Sequence, residues 1–215
     1  MARIAGLYAV TPDLADTALL LDKVAAAIVG GASSVQYRNK SASPALQRQQ
    51  ARALAHLCRG RALFIVNDDA RLAAAVGADG VHVGEHDGAL TQCRSDLGAN
   101  GIVGVSCYDD FARAQLYAAQ GVDYLAFGSF HPSSVKPQAR RAAPALLTRA
   151  RGLGLPLVAI GGITAANAGA LVAAGADAVA VISDVFDHDD VADITRAAAA
   201  IVAAIRASTS TSGPT

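Results

Sequence analysis

The stretch LFIVNDDARLAAAVGADGVHVGEHD, residues 63–87, places a polar cluster directly after each of two apolar runs. Asn67 and Asp68 follow the run 63–66, and Glu85 and Asp87 follow the run 80–84. An Ala-rich helical segment, 70–76, lies between them. In a parallel strand–helix–strand unit both strands point the same way, so both clusters emerge at one edge of the sheet. Two carboxylates brought together there, Asp68 and Asp87, either hold a cation or repel each other. Mg²⁺ is the favoured ion, because no Cys or paired His accompanies them. The competing role for Asp68 is to cap the helix that follows.

Other groups with chemical potential also follow apolar runs. Along the strand expected over 34–38 and just past its end come Gln36, Arg38 and Lys40 at i, i+2 and i+4, on the face opposite Val35 and Tyr37. They form either an anion site or a solvated strand end. Ser106 ends the run 102–106, and Ser133, Ser134 and Lys136 follow 124–128. The Gly161-Gly162 pair follows 157–160, and Ser183 follows 178–182. IGGIT before a helix, and then AVAVIS, read either as a glycine-rich phosphate cradle or as a tight turn. His82 points inward from its strand, as a base or as a hydrogen-bonded interior histidine. His131 has an open role.

These groups need a scaffold that collects strand ends. Apolar runs at 7–11, 34–38, 63–66, 80–84, 102–106, 124–128, 157–160 and 178–182 alternate with helical segments, including 17–29, 44–58 and 191–207. The count predicts an α/β protein: a single (β/α)₈ TIM barrel over residues 1–207, with an unordered tail over 208–215. The competing fold is an open doubly wound sheet, but no GxGxxG follows the first strand. The phrases GADG, GVDY and GADA (77–80, 121–124, 175–178) each end a helix with Gly and lead into a strand with Asp. In a barrel the strand ends named above meet on one face. Hydroxyl, cationic and acidic groups there point to a phosphorylated substrate, a diphosphate above all, bridged by Mg²⁺.

Composition narrows the function further. With 53% hydrophobic and 17% charged residues in 215, the chain buries one sizeable core. Its formal net charge of zero favours neither nucleic acid nor an anionic membrane surface as partner. Cys58, Cys93 and Cys107 lack metal-ligand spacing and read as reduced thiols. No signal-peptide pattern opens the sequence. Pro156, Gly161, Gly162, Asn167 and Gly169 break the long uncharged run 155–176 into strand, turn and helix. A cytoplasmic protein with small-molecule substrates is expected, and self-association is left open.

QYRNK (36–40), FIVNDD (64–69), GVHVGEHD (80–87), IVGVS (102–106), GSFHPSSVK (128–136), AIGGIT (159–164) and AVAVIS (178–183) together resemble the thiamine-phosphate synthase family. The resemblance implies a transferase. It would join 4-amino-2-methyl-5-hydroxymethylpyrimidine diphosphate to a thiazole phosphate, giving thiamine phosphate and pyrophosphate. On that likeness Gln36, Arg38, Lys40, Asn67, Ser106 and Lys136 hold the pyrimidine diphosphate, and Tyr37 and Asn39 join them as substrate contacts. Arg38, Ser106 and Lys136 are the catalytic residues, and Asp68 and Asp87 hold Mg²⁺. Ser133, Ser134, Val135, Gly162, Ile182 and Ser183 receive the thiazole phosphate. The chain departs from the family at Val135, where a hydroxyl residue is usual, at Glu85 in place of Gln, and at Cys107-Tyr108-Asp109. Two alternatives share the scaffold. One is a thiazole tautomerase, whose active histidine would fall where this chain has Ser129. The other is a non-enzymatic barrel that binds thiamine precursors.

Overall fold

Strict alternation along each strand sorts side chains between two cores. The computed structural model describes residues 4–84, 90–132 and 141–210. Its strands are β1 (Gly6–Val10), β2 (Ala32–Tyr37), β3 (Leu63–Asn67), β4 (Gly80–Val83), β5 (Ile102–Tyr108), β6 (Tyr124–Gly128), β7 (Leu157–Ile160) and β8 (Ala178–Val181). They pair in parallel in chain order, and β1 closes on β8. The expected (β/α)₈ barrel is therefore the fold observed. The outward set, including Leu7, Val35, Phe64, Val81, Val105, Phe127 and Val179, packs under the helices. The inward set, Tyr8, Val10, Ile65, Tyr124, Ala126, Val158 and Ala180, fills the bore as a second core.

The helices are α1 (Thr17–Val29), α2 (Pro44–Cys58), α3 (Ala70–Val76), α4 (Leu90–Leu97), α5 (Phe111–Ala119), α6 (Ala145–Ala150), α7 (Ala165–Ala173), α8 (Ser183–Phe186) and α9 (Val191–Ser210). Asp16, Ser43, Asp69 and Asp110 start four of them by accepting bonds from backbone N–H groups of the first turn. Helix α9 passes the expected end at 207. Ser208 and Thr209 donate their hydroxyls back to the carbonyls of Ile205 and Arg206, at 2.8 and 2.9 Å, within its last turn. Residues 211–215 of the expected tail lie outside the described residues.

The recurring Gly-x-Asp phrases have a shared structural purpose at the barrel's N-terminal rim. Asp79, just before β4, donates its backbone N–H to Phe64 O (2.8 Å) and accepts Phe64 N–H on its carboxylate (2.7 Å). Asp123 makes the same reciprocal pair with Val103 on β5, at 2.8 and 2.7 Å. Asp177 repeats it with Leu157 on β7, at 2.8 and 2.9 Å. Each clamp fastens an even strand to the odd strand before it. Ser33 serves β1 and β2 similarly, through a hydroxyl bonded to the Ala5 carbonyl.

Candidate active site

At the C-terminal rim, β2 delivers the first cluster. Gln36 faces the bore, almost fully buried, and its Nε2 donates to Tyr8 Oη at 3.0 Å. Arg38 lies one residue past the strand. Its backbone N–H and carbonyl both bond Thr11 Oγ1 at 2.9 Å, which extends the β1–β2 pairing to the rim. Its guanidinium meets Asp13 at 3.2 Å, and the Lys40 backbone N–H shares that carboxylate oxygen. Lys40 Nζ lies 3.3 Å from Asp68.

The period of two turns Tyr37 and Asn39 the other way, toward α2, where both line a cavity together with Lys40 and Asp68. The Tyr37 hydroxyl donates to Gln50 Oε1 (2.8 Å) on α2. Asn39 Nδ2 donates to Leu14 O (2.7 Å) and Gln50 Oε1 (3.0 Å). Both fasten the QYRNK run to its supports and leave Gln36, Arg38 and Lys40 at the bore.

Asn67 closes β3, and Asp68 follows in the left-handed region with φ of 64°. The sequence offered helix capping as the alternative role for Asp68, and Asp69 takes that role by accepting Leu72 N–H at 2.8 Å. Asp68 thus stays on the rim beside Lys40. A cavity of about 450 Å³ opens there, with Lys40, Asn67, Asp68, Arg71, Gln92 and Asp96 among its lining residues. Asp87, the other expected metal ligand, lies outside the described residues, as does Glu85. Among the described residues no three His, Cys, Asp or Glu side chains cluster as a metal site.

Ser106 sits on the inner face of β5, where the β5–β6 register shifts between Ser106 and Tyr108. Its Oγ lies 2.9 Å from His82 Nε2, and His82 Nδ1 lies 2.9 Å from Tyr124 Oη. Tyr124 Oη is 2.9 Å from Tyr8 Oη, completing a chain of polar contacts from Gln36 to Ser106 through the bore. His82 is therefore a hydrogen-bonded interior histidine. Arg113 on α5 fixes the strand ends from outside, donating to Ser106 O (2.8 Å) and Gly84 O (3.2 Å).

Across the bore, the β7 and β8 ends form a second recess of about 200 Å³, lined in part by Pro132, Gly161, Gly162, Thr164, Ile182 and Ser183. Asn167, in the first turn of α7, reaches back so that its Nδ2 donates to Gly162 O at 3.0 Å. Lys23 is buried, and its Nζ donates to Phe186 O (2.9 Å) and His188 O (2.6 Å) at the end of α8. Ser133, Ser134, Val135 and Lys136 lie outside the described residues. The arrangement offers cationic and hydroxyl donors on one side of the mouth and a backbone-lined recess on the other. Those features suit two anionic groups brought face to face.

The three cysteines are buried and unbonded, and burial pushes the thiols of Cys58 and Cys107 up to about 12. None is an activated nucleophile. Asp13, Arg113, Tyr8 and Tyr124 escaped the sequence reading. Asp13 looks like an ordinary turn residue, and Arg113 like a solvated helix position. The tyrosines had a readable signal, because they occupy inward strand positions and Tyr124 faces a glycine on the neighbouring strand.

Residues 7–185 match the family described as thiamine monophosphate synthase. A thiamine-phosphate synthase of Azoarcus sp. (strain BH72) is 54% identical over 190 residues, covering 87% of this chain and 92% of that one. Its counterpart in Chromobacterium violaceum is 51% identical over 198 residues, covering 92% and 96%. A solved thiamine phosphate pyrophosphorylase from Pyrococcus furiosus superposes with a TM-score of 0.83 at 31% identity, covering 95% of this chain and 96% of that one. Neither the tautomerase nor the non-enzymatic barrel finds support among these relatives. With its closed eight-stranded barrel and a family match across all eight strands, the chain belongs to the thiamine monophosphate synthase family.

Proposed function

We propose that this chain joins 4-amino-2-methyl-5-hydroxymethylpyrimidine diphosphate to a thiazole phosphate, releasing pyrophosphate and thiamine phosphate. It is an enzyme, a transferase. One observation carries the reading: a donor-rich sector at Arg38, Lys40 and Ser106 faces a glycine-lined recess at Gly162 and Ser183 across one barrel mouth. Two phosphorylated substrates need two such anion sites.

In this reading Arg38 and Lys40 bind the diphosphate and Ser106 donates its hydroxyl hydrogen to it. Asn67 orients the pyrimidine end beside Gln36. Lys136 adds a third cation, and Ser133, Ser134, Val135, Gly162, Ile182 and Ser183 receive the thiazole phosphate. The C–O bond to pyrophosphate breaks as the electron-rich aminopyrimidine stabilises the developing cation. The thiazole nitrogen then supplies the electron pair for the new C–N bond. Fixed donors aimed at the departing charge lower the barrier, and alignment of the two substrates supplies much of the rest. No step needs a strong general base, in keeping with a His82 whose ring nitrogens both have neutral partners.

Mg²⁺ fits the donors present. Asp68 is a hard oxygen ligand held on the rim, and Mg²⁺ commonly takes one or two carboxylates together with substrate phosphates. Asp68 and Asp87 would hold it, and it would neutralise charge on the leaving diphosphate. We place the reaction in the cytoplasm, where a neutral chain with three reduced cysteines fits. Among the described residues no helix is long and apolar enough to cross a membrane.

Pyrophosphate release, followed with both substrates and with or without Mg²⁺, tests the reading. Release should require both phosphorylated substrates and the metal. No release with all three present refutes it.

A further inference from the structure

The bore holds polar contacts that substrate binding alone does not explain. They run from Gln36 Nε2 through Tyr8 Oη, Tyr124 Oη and His82 to Ser106 Oγ, with every step at 2.9 or 3.0 Å. Both tyrosines are buried, and burial raises their phenol pKa values above the ordinary tyrosine range, so each keeps its single hydrogen. Tyr124 stacks on His82, with ring centroids 5.5 Å apart and planes 20° apart. It occupies the space a side chain at Gly104 would need, since a Cβ there would lie 1.9 Å from the tyrosine ring. The neighbouring strand has made room for this phenol.

The hydrogens in such a chain have a direction. An amide nitrogen only donates, so Tyr8 accepts from Gln36, and the acceptor that this chain of contacts offers the buried Tyr8 hydrogen is Tyr124 Oη. Tyr124 then gives its hydrogen to His82 Nδ1. A histidine that accepts at Nδ1 and stays neutral carries its hydrogen on Nε2. His82 therefore donates to Ser106 Oγ, and the serine hydrogen is left to point elsewhere. With the opposite polarity, Ser106 would donate to His82 and present only lone pairs to an anion.

We propose that Tyr124, backed by Tyr8, is a positioning residue that locks His82 as its Nε2–H tautomer and so turns the Ser106 hydrogen toward the diphosphate. The proposal rests on Ser106 contacting the diphosphate, as in the function given above. The tautomer itself belongs to the protein alone. It can be read without substrates, so failure of the relay and failure of the assigned reaction are separable.

The experiment is ¹⁵N NMR of the His82 ring in the substrate-free protein, for wild type, Tyr124→Phe, Tyr8→Phe and Gln36→Glu, with kinetics alongside. Wild type and Tyr8→Phe should show the Nε2–H form, because Tyr124 can still donate to Nδ1 in both. Tyr124→Phe should show a mixture of tautomers. Gln36→Glu replaces the amide donor with an acceptor, and should reverse the chain to Nδ1–H. Tyr124→Phe should lower kcat about 10-fold, the weight of one neutral hydrogen bond, without raising the thiazole phosphate KM. An Nδ1–H or doubly protonated His82 in wild type overturns the proposal. So does one tautomer in all four proteins, or a Tyr124→Phe loss seen only in thiazole KM.

Discussion

Replacing Gly162 by alanine separates two costs that usually arrive together. Gly162 has φ of 62°, and a Cβ there would lie 2.2 Å from Pro132 O and 2.7 Å from His131 O. Gly77, at the end of α3, has nearly the same φ, 67°, with nothing within 4 Å of the added carbon. Gly77→Ala should therefore lose only the left-handed strain, about 1–2 kcal/mol. Gly162→Ala carries that strain plus crowding against backbone that cannot rotate away, a further 1–3 kcal/mol or so. Urea unfolding of the two variants should show the difference as a lower midpoint at unchanged slope. The same push moves the β7 end away from the β6 end, through the recess assigned to the thiazole phosphate. Loss of one or two charge-assisted N–H contacts should raise the thiazole KM about 10- to 150-fold, while Gly77→Ala leaves it alone. Equal destabilisation of the two variants would show that the β6 and β7 ends do not approach as described. A Gly162→Ala protein with weakened folding and normal thiazole KM would remove the recess from the binding site.

Asp68→Asn should lower turnover at least about 100-fold at limiting Mg²⁺ and leave the unfolding midpoint unchanged, since asparagine tolerates the left-handed region and the Lys40 pair is partly exposed; near-normal turnover refutes the metal assignment. Asp123→Ala removes the acceptor of buried Val103 N–H and of Arg94, so it should cost about 1–3 kcal/mol in urea unfolding with kcat and both KM values intact. Alkaline conditions should also weaken the fold. The buried thiols and phenols hold their protons longer folded than unfolded, so their contribution is complete below the ordinary thiol value of 9.0. It declines as pH rises toward 12, more steeply once the unfolded-state tyrosines titrate above 10.0. Each group contributes a slope of up to about 1.4 kcal/mol per pH unit. A flat unfolding midpoint between about pH 8 and pH 11 contradicts that burial.

The barrel was legible because its signals are local and repeated. Apolar runs of four to seven residues, and helices such as Thr17–Val29, Pro44–Cys58 and Ala70–Val76, fall where periodicity and stop residues place them. The site was legible as far as strand ends could be located, which brought Gln36, Arg38, Asn67, Asp68 and Ser106 to one rim. Tyr37 and Asn39 entered with a contiguous motif read as one contact surface, whereas the strand period turns them toward Gln50 on α2, in a cavity they share with Lys40 and Asp68. What stayed hidden depends on contacts across long sequence separations. The Tyr8–Tyr124 contact spans 116 residues, and Lys23 reaches carbonyls at 186 and 188. Neither has a local pattern. Choosing Asp69 over Asp68 as the cap turned on one residue's backbone torsion, which side-chain chemistry alone does not specify.

The carboxylate clamps at the N-terminal rim join β3 to β4, β5 to β6 and β7 to β8, while at that rim the seams between those pairs rely on backbone ladder bonds. Amide exchange should therefore divide the barrel into hairpin-sized quarters. The amides of Phe64, Val103 and Leu157 bond to side chains that cannot leave without breaking a reciprocal ring, and they should exchange only when both strands of a pair open together. The β6–β7 seam should be the earliest to admit solvent, since Arg113 and the His82–Ser106 contact also hold β4 to β5. Thermal fluctuation would then loosen the bore between quarters, along lines that separate Tyr124 from the β7 recess, before it disturbs the strand pair carrying Ser106 and Tyr124.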